Sequence, residues 1–315
     1  MKVIEDLDAF PQSLSYPVMA IGIFDGVHLG HQLILKQLTR QAKKKRGVSV
    51  LLTFAPHPRE VLSPSTAPML LQTSYQKEEI LKALGVDILL RLPFTRQLSL
   101  CKPSEFALRM IHNCGVREIY VGSNFRFGHQ RSGDVAMLAS LGEKYRFKVH
   151  EINPVYHRGT HISSSYIRSL VTDGRVALAR HLLGRPHQIE GTVVRGAGQG
   201  SKLGFPTANL DLKNELCPSI GVYVSQVHFG GRSYAAVTNI GHRPTIREQI
   251  TNKPVVEPHL LDFEDDIYDE YLKLDLWFYL RGEKAFNHIG DLKRQIGEDV
   301  ERTRRYMKKL TELLG

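Results

Sequence analysis

Gly22-Ile23-Phe24-Asp25-Gly26-Val27-His28-Leu29-Gly30-His31 is the stretch on which the reading of this chain turns. It follows Val18-Met19-Ala20-Ile21, an apolar run of strand length. It precedes Leu33, Ile34, Leu38 and Ala42, whose spacing is that of a helix. Two histidines therefore sit where a strand hands over to a helix. The first turn of a helix has unpaired N–H groups and a partial positive charge, which suits a phosphate. His28 and His31 are three residues apart and can face one ligand. Gly22, Gly26 and Gly30 remove side chains where backbone must approach that ligand. The pattern predicts a nucleotide cradle, with two imidazole donors aimed at a phosphate whose charge grows in the transition state. A zinc site would need further ligands, and no Cys or His cluster supplies them.

Working outward, Val48 to Phe54 reads as a buried parallel strand, and Ala55-Pro56-His57-Pro58 breaks the chain into a loop. Helices are predicted over 74–84, 104–113 and 134–145, and strands over 87–92, 118–121 and 147–152. This alternation predicts a doubly wound α/β domain, whose ligands lie at the carboxyl ends of its strands. The cradle, Thr53 to Pro58 and Gly122-Ser123-Asn124-Phe125-Arg126-Phe127-Gly128 all fall at such ends. In the last of these an aromatic could stack on a flat ring and Arg126 could pair with phosphate. His161-Ile162-Ser163-Ser164-Ser165-Tyr166-Ile167-Arg168 reads as a helix start with capping serines. A short helix over 175–183 is followed by Leu183-Gly184-Arg185-Pro186-His187, where a domain boundary is expected.

The chain has 315 residues, enough for two domains, with 42% hydrophobic and 23% charged residues. No apolar run is long enough for a membrane span, and Met1 to Pro11 is acidic and unlike a secretory signal. Cys101, Cys114 and Cys217 are scattered, as expected in a reducing cytoplasm. The net charge of +10 is uneven. Residues 1–185 hold 25 Lys and Arg against 14 Asp and Glu, and residues 186–315 hold 17 against 18. A basic first half fits small polyanionic substrates, since no nucleic-acid signature with interleaved aromatics accompanies it. Lys43-Lys44-Lys45-Arg46 closes a helix and is dipole-matched, solvated charge.

After Gln188 the texture changes to short β-branched stretches separated by glycine-rich turns, which predicts a small antiparallel barrel. Residues 290–313 form one closing helix with an apolar stripe of Leu292, Ile296, Val300, Met307 and Leu310. Gly196-Ala197-Gly198-Gln199-Gly200-Ser201-Lys202-Leu203-Gly204-Phe205-Pro206-Thr207-Ala208-Asn209 is the second informative stretch. It is not a Walker A loop, and no helix is expected after it, so it is not a dinucleotide fingerprint. Its backbone N–H groups could still fold over phosphates. Thr207 and Asn209 offer neutral oxygens that could help hold Mg²⁺. In Val255-Val256-Glu257-Pro258-His259, Glu257 could accept a hydroxyl proton.

The first stretch resembles the HxGH signature of the nucleotidylyltransferase superfamily. Together with the other motifs, from about Val18 to Met307, the chain resembles the bacterial bifunctional riboflavin kinase/FMN adenylyltransferases (FAD synthetases). The resemblance implies an α/β adenylyltransferase domain over 1–184 and a barrel riboflavin kinase domain with a C-terminal helix over 185–315. It implies His28 and His31 as catalytic residues, with Gly22, Phe24, Asp25, Gly26 and Asn124 lining the first site. Ser164, Ser165 and Arg168 match the ISSTxIR signature that holds ATP phosphates, with Ser165 where threonine is commoner. In the barrel it implies Glu257 as base, Thr207 and Asn209 at Mg²⁺, and Gly196, Gly198, Lys202, Gly204, Phe205 and Pro206 around the substrates. Lys202 stands near where the family usually has arginine, and Pro258 where it has another small residue. Asn239-Ile240-Gly241-His242-Arg243-Pro244-Thr245 matches a segment expected to line the barrel site. Arg281 and Glu283 resemble the strand and helix that close it. The implied substrates are ATP, riboflavin and FMN, with no nucleic-acid or membrane partner and a cytoplasmic location. No motif bears on oligomeric state. His28-Leu29-Gly30-His31 also resembles the HIGH motif of class I aminoacyl-tRNA synthetases, but the chain lacks a KMSKS-like segment. A basic nucleic-acid-binding protein is the other alternative.

Overall fold

The computed structural model of the chain describes residues 1–196, 198–241 and 254–314. Two compact units emerge: Met1–Met69 with Ser74–Ser163, and Leu70–Thr73 with Ser164–Gly315.

The first unit is built on six strands: β1 (Lys2–Ile4), β2 (Pro17–Ile21), β3 (Val48–Ala55), β4 (Ile88–Pro93), β5 (Glu118–Gly122) and β6 (Lys148–Ile152). They pair in the order β1-β4-β3-β2-β5-β6, and every pairing is parallel. Adjacent residues of one strand enter opposite cores. Met19 and Ile21 join Phe106 and Met110 of the helix Pro103–Cys114. Val18 and Ala20 join Ile34, Leu35 and Leu38 of the helix Leu29–Lys44. A strand buried on both faces has no polar side, so β2 and β3 read as continuous apolar runs. From β2 the chain steps through β3 to β4 on one side, then crosses to β5 on the other. The carboxyl ends of β2 and β5 therefore form the topological switch point, where open α/β sheets bind ligands. The unit ends with a two-stranded hairpin, β7 (Tyr156–His157) and β8 (Thr160–His161).

In the second unit β9 (His187–Val194), β10 (Asn209–Leu212), β11 (Gly221–Phe229), β12 (Arg232–Gly241), β13 (Val255–Leu260) and β14 (Tyr271–Arg281) close into an antiparallel barrel ordered β10-β13-β12-β11-β14-β9. Its lumen is filled by Ile189, Val193, Tyr223, Val227, Ile240, Val256 and Leu274, among others. A barrel this narrow is a packed core, so ligands must be sought on its outer face. The long helix Ile289–Leu314 lies against that outer face, where Val300 packs with Val222, Val237 and Leu261. Arg281 at the end of β14 is forked onto the buried Asp299 of this helix, at 2.9 Å from Nε and 2.7 Å from Nη2 to Oδ2. Two charged donors converging on one carboxylate oxygen fix orientation as well as adding stability.

Packing groups the two helices that precede residue 184 with the barrel. The helices Ser164–Thr172 and Val176–Leu183 belong to the second unit. Val176 is part of the barrel core, and the Arg180 guanidinium lies 5.1 Å from the Trp277 ring centroid. Leu70–Thr73 joins them. The Thr73 hydroxyl donates to the buried Glu190 carboxylate at 2.5 Å, and Arg185 donates to Gln72 Oε1 at 3.2 Å. Turn chemistry at 183–187 marked a change of texture, whereas apolar burial decides which helix goes with which core. A fragment starting at Ser164 should therefore melt cooperatively and at higher temperature than one starting at Arg185. The shorter fragment exposes the Val176 face and the Trp277 ring, a loss of about 2 kcal/mol or more from those side chains alone. Thermal melts followed by circular dichroism compare the two, and equal melting temperatures would contradict this assignment.

Candidate active sites

The cradle is built by an unusual turn between β2 and the helix Leu29–Lys44. Phe24 has φ 52° and Val27 φ 37°, both left-handed, with Gly26 at φ 79° between them. Phe24, Asp25 and Val27 are buried, as is His28. His28 is the N-cap of the helix, and its Nδ1 accepts from the His31 N–H at 3.4 Å. With Nδ1 accepting, a neutral His28 ring carries its proton on Nε2 and can donate from it. The His28 and His31 rings stack with centroids 3.7 Å apart, and Phe24 covers His31 at 4.7 Å. Gly30 leaves the ring its space, since a Cβ there would lie 3.1 Å from the His28 ring and press on it. Gly22 does likewise for Phe24, because its Cβ would meet the Phe24 ring at 2.9 Å. The Ile23 carbonyl accepts from Thr53 Oγ1 and from Lys77 Nζ, each at 3.0 Å.

At the carboxyl end of β5, Asn124 folds back so that its Oδ1 lies over Gly122. Phe125 and Phe127 stack on each other at 5.3 Å and pack into the first unit's core, Phe127 fully. Arg126 is paired with Asp134 at 3.5 Å, on the surface. Ser164, Ser165 and Arg168 occupy the first turns of the helix Ser164–Thr172, in the second unit.

The second site forms on the outer face of β12 and β13. Val256, Pro258 and Leu260 are buried, so Glu257 and His259 face outward by alternation. Glu257 is opposite Asn239 in the ladder, and the Asn239 amide donates to its carboxylate. Burial pushes the Glu257 carboxyl above its ordinary value, against the lowering effect of that hydrogen bond. The glycine-rich segment runs alongside. The Ala208 N–H donates to the Pro258 carbonyl at 2.9 Å, and His259 Nδ1 bonds the Pro206 carbonyl at 2.7 Å. This brings Thr207 and Asn209 beside the β13 segment that carries Glu257. A Cβ at Gly196 would collide with the Asn209 amide, and one at Gly200 would lie 3.0 Å from Thr207 Oγ1. The loop backbone thus folds directly over the two neutral oxygens. Gly198 and Gly204 take left-handed φ at its bends, and Gln199–Lys202 forms one helical turn that the sequence did not announce. Phe205 packs edge-on to His259 at 5.5 Å, and Lys202 and Pro206 are exposed. Across β12, the Glu283 carboxylate lies over Gly241. Of the other expected residues, Ala197 and residues 242–245 lie outside the described residues.

Sequence reasoning missed Lys77 and Asp299. A lone lysine in an amphipathic helix reads as solvated charge, and an acid in a closing helix likewise. Only the tertiary neighbours of each, Ile23 and Arg281, distinguish them. Among the described residues no group of three or more His, Cys, Asp or Glu could hold a metal, and no helix is long and apolar enough to cross a membrane.

A doubly wound α/β unit with a histidine cradle at its switch point, followed by a closed six-stranded barrel and a helix, is the architecture of a two-domain nucleotide-handling enzyme. Family models agree on both parts: "FAD synthetase" matches residues 11–166 and "Riboflavin kinase" residues 183–307. The chain is 34% identical to a bifunctional riboflavin kinase/FMN adenylyltransferase of Buchnera aphidicola, over 97% of this chain and 99% of that protein. It is 38% identical to the Pseudomonas fluorescens protein of the same name, over 91% and 92%. A Streptococcus pneumoniae crystal structure titled a macrolide-efflux protein superposes with a TM-score of 0.86 at 28% identity, covering 96% of this chain and 98% of that one. The chain belongs to the bifunctional riboflavin kinase/FMN adenylyltransferase family.

Proposed function

We propose that this protein phosphorylates riboflavin to FMN with one ATP and adenylylates FMN to FAD with a second, releasing pyrophosphate. The observation that carries this is near full-length similarity to proteins of that activity, with both family models in order along one chain. In the kinase reaction Glu257 takes the proton of the ribityl 5′-hydroxyl as its oxygen attacks the γ-phosphorus, and ADP leaves. A carboxyl with a raised pKa on an outer barrel face is suited to that proton. Thr207 and Asn209 would hold Mg²⁺. Two neutral oxygens under a glycine-rich backbone fit a cation that keeps several waters and shares substrate phosphates. When bound, the ion adds positive charge at the ATP phosphates. Gly196, Gly198, Lys202, Gly204, Phe205 and Pro206 form the wall around those phosphates and the flavin.

In the adenylyl transfer a phosphate oxygen of FMN attacks the α-phosphorus of ATP, and the bond to pyrophosphate breaks. His28 donates from Nε2 to the charge that develops, and His31 stacks against it. Gly22, Phe24, Asp25, Gly26 and Asn124 shape the pocket, and Ser164, Ser165 and Arg168 bind ATP phosphates. Positioning and charge stabilisation suffice for both steps, without a covalent enzyme intermediate. The adenylyl-transfer chemistry falls in residues 1–184 and the kinase chemistry in 185–315, in the cytoplasm.

The test is a time course with riboflavin, ATP and Mg²⁺, with the flavins separated by chromatography. FMN should rise first and FAD follow as FMN falls. If supplied FMN becomes FAD while riboflavin is left untouched, the kinase half of the reading fails. If FMN accumulates and FAD never forms, the adenylyl-transfer half fails.

A further inference from the structure

We propose that Lys77 is a positioning residue for adenylyl transfer, its ammonium and the Thr53 hydroxyl together clamping the Ile23 carbonyl and so holding the turn that presents His28 and His31. The proposal rests on the reading of the cradle as the adenylyl-transfer site.

The turn needs holding. Phe24 and Val27 both sit at positive φ, and a β-branched residue there is an outlier among L-residues. Such a conformation persists only where its surroundings over-determine it. Four restraints do so. Phe24 and Val27 are buried, and the Gln32 amide donates to the Val27 carbonyl at 2.9 Å. At the other end the Ile23 carbonyl accepts two hydrogen bonds, from Thr53 Oγ1 and Lys77 Nζ, both at 3.0 Å. A carbonyl has two lone pairs, so these two donors saturate it.

Lys77 projects from the helix Ser74–Ala83, and it is the charged member of the pair. A charged donor makes the stronger bond. Burial draws the ammonium's pKa down, and the nearby Asp25 carboxylate acts to keep it charged, against Arg91. Asp25 is itself buried within the turn, and a buried carboxylate needs a cation. Lys77 thus holds the turn at the carbonyl before Phe24, with its charge near the Asp25 carboxylate that follows. His28 follows three residues later, with its ring already fixed by the His31 N–H and by Gly30. A turn that relaxed toward ordinary φ values would swing both rings off their line.

The test compares Lys77→Met, Lys77→Arg and Thr53→Val in the full chain. Initial rates of FAD formation from FMN and of FMN formation from riboflavin are measured on the same preparations. Lys77→Met should lower the adenylyl-transfer kcat by about 10- to 100-fold, as expected of a misplacement of about 1 Å. The KM for ATP should change less, and the kinase rate should stay within about twofold. Lys77→Arg should recover most of the loss, and Thr53→Val should fall between the two. A readout independent of turnover is the ring resonances of His28 and His31 in a histidine-labelled sample. Stacked rings shift one another's protons, so Lys77→Met should move those two resonances. Unmoved ring resonances, an adenylyl-transfer rate within threefold of wild type, or equal loss in Lys77→Met and Lys77→Arg would each overturn the clamp. Loss of both activities with a lowered melting temperature would also overturn it, leaving Lys77 a stability residue. Wild-type FAD formation by His28→Ala would instead overturn the reading of the site.

Discussion

His28→Ala is expected to remove most FAD formation from FMN, by about 10²- to 10³-fold, while FMN formation from riboflavin continues at the wild-type rate. The magnitude is that of losing one preorganised donor at a developing charge. Two structural consequences must be separated from it. His28 caps the helix Leu29–Lys44 through Nδ1, and loss of an N-cap costs about 1 kcal/mol. It also stacks on His31, whose ring would gain freedom. His28→Asn provides the control, since asparagine is a good N-cap and restores the helix start without the Nε2 donor. If the loss is chemical, both variants should be slow and only the alanine variant destabilised. If His28→Asn forms FAD at a rate near wild type, the imidazole is not the donor and the cradle argument falls. Gly30→Ala should act through the same ring, because its Cβ would lie 3.1 Å from the His28 ring and press on it.

Glu257→Gln should lower the kinase rate by about 10²- to 10⁴-fold, the span of general-base contributions. Glutamine fits the same space and can still bond Asn239, but it takes no proton near neutral pH. Binding of riboflavin and ATP should change much less than the rate, since the interaction lost belongs to the transition state. FAD formation from supplied FMN should be almost unaffected, whereas FAD formation from riboflavin should collapse. The measurement is a pair of initial rates on one preparation, one with each flavin. A pH profile adds a second check. Burial raises the Glu257 pKa, against the lowering bond from Asn239. The carboxyl is protonated and unable to act below that raised value, so the acid limb of the kinase kcat/KM should lie above the ordinary glutamate range. The limb should vanish in Glu257→Gln. A kinase rate within about threefold of wild type, or a limb that persists in the variant, would reject Glu257 as the base. Equal loss of both activities would indicate misfolding, which circular dichroism would reveal.

Much of this was legible in the residues because local rules and tertiary rules agreed. Val18 to Ile21 and Val48 to Phe54 are apolar at every position because both faces of the sheet are covered, and that pattern alone predicts a buried parallel strand. Gly30 between His28 and the next turn is a sequence trace of a ring that needs its space. The glycines and the Thr207-Ala208-Asn209 run likewise announced a backbone folded over polar side chains. Short periodic strands without intervening helices announced the barrel. Other features had no local signal. β1 and β10 are only three and four residues long, too short for a period of two to declare itself. Phe125 and Phe127 read alike in sequence, and it is the contact with Phe106, some 20 residues away, that marks Phe127 as the one buried in the core. The helices over 164–183 carry no mark of the core they join; burial of Val176 among barrel residues assigns them. Lys77 is one charged residue on a helix until strand order sets that helix beside Ile23. Periodicity, turn residues and close-packed glycines are properties of neighbouring residues and are written in order along the chain. Which lysine meets which carbonyl is a property of residues 54 positions apart, and only the completed sheet brings them within 3.0 Å.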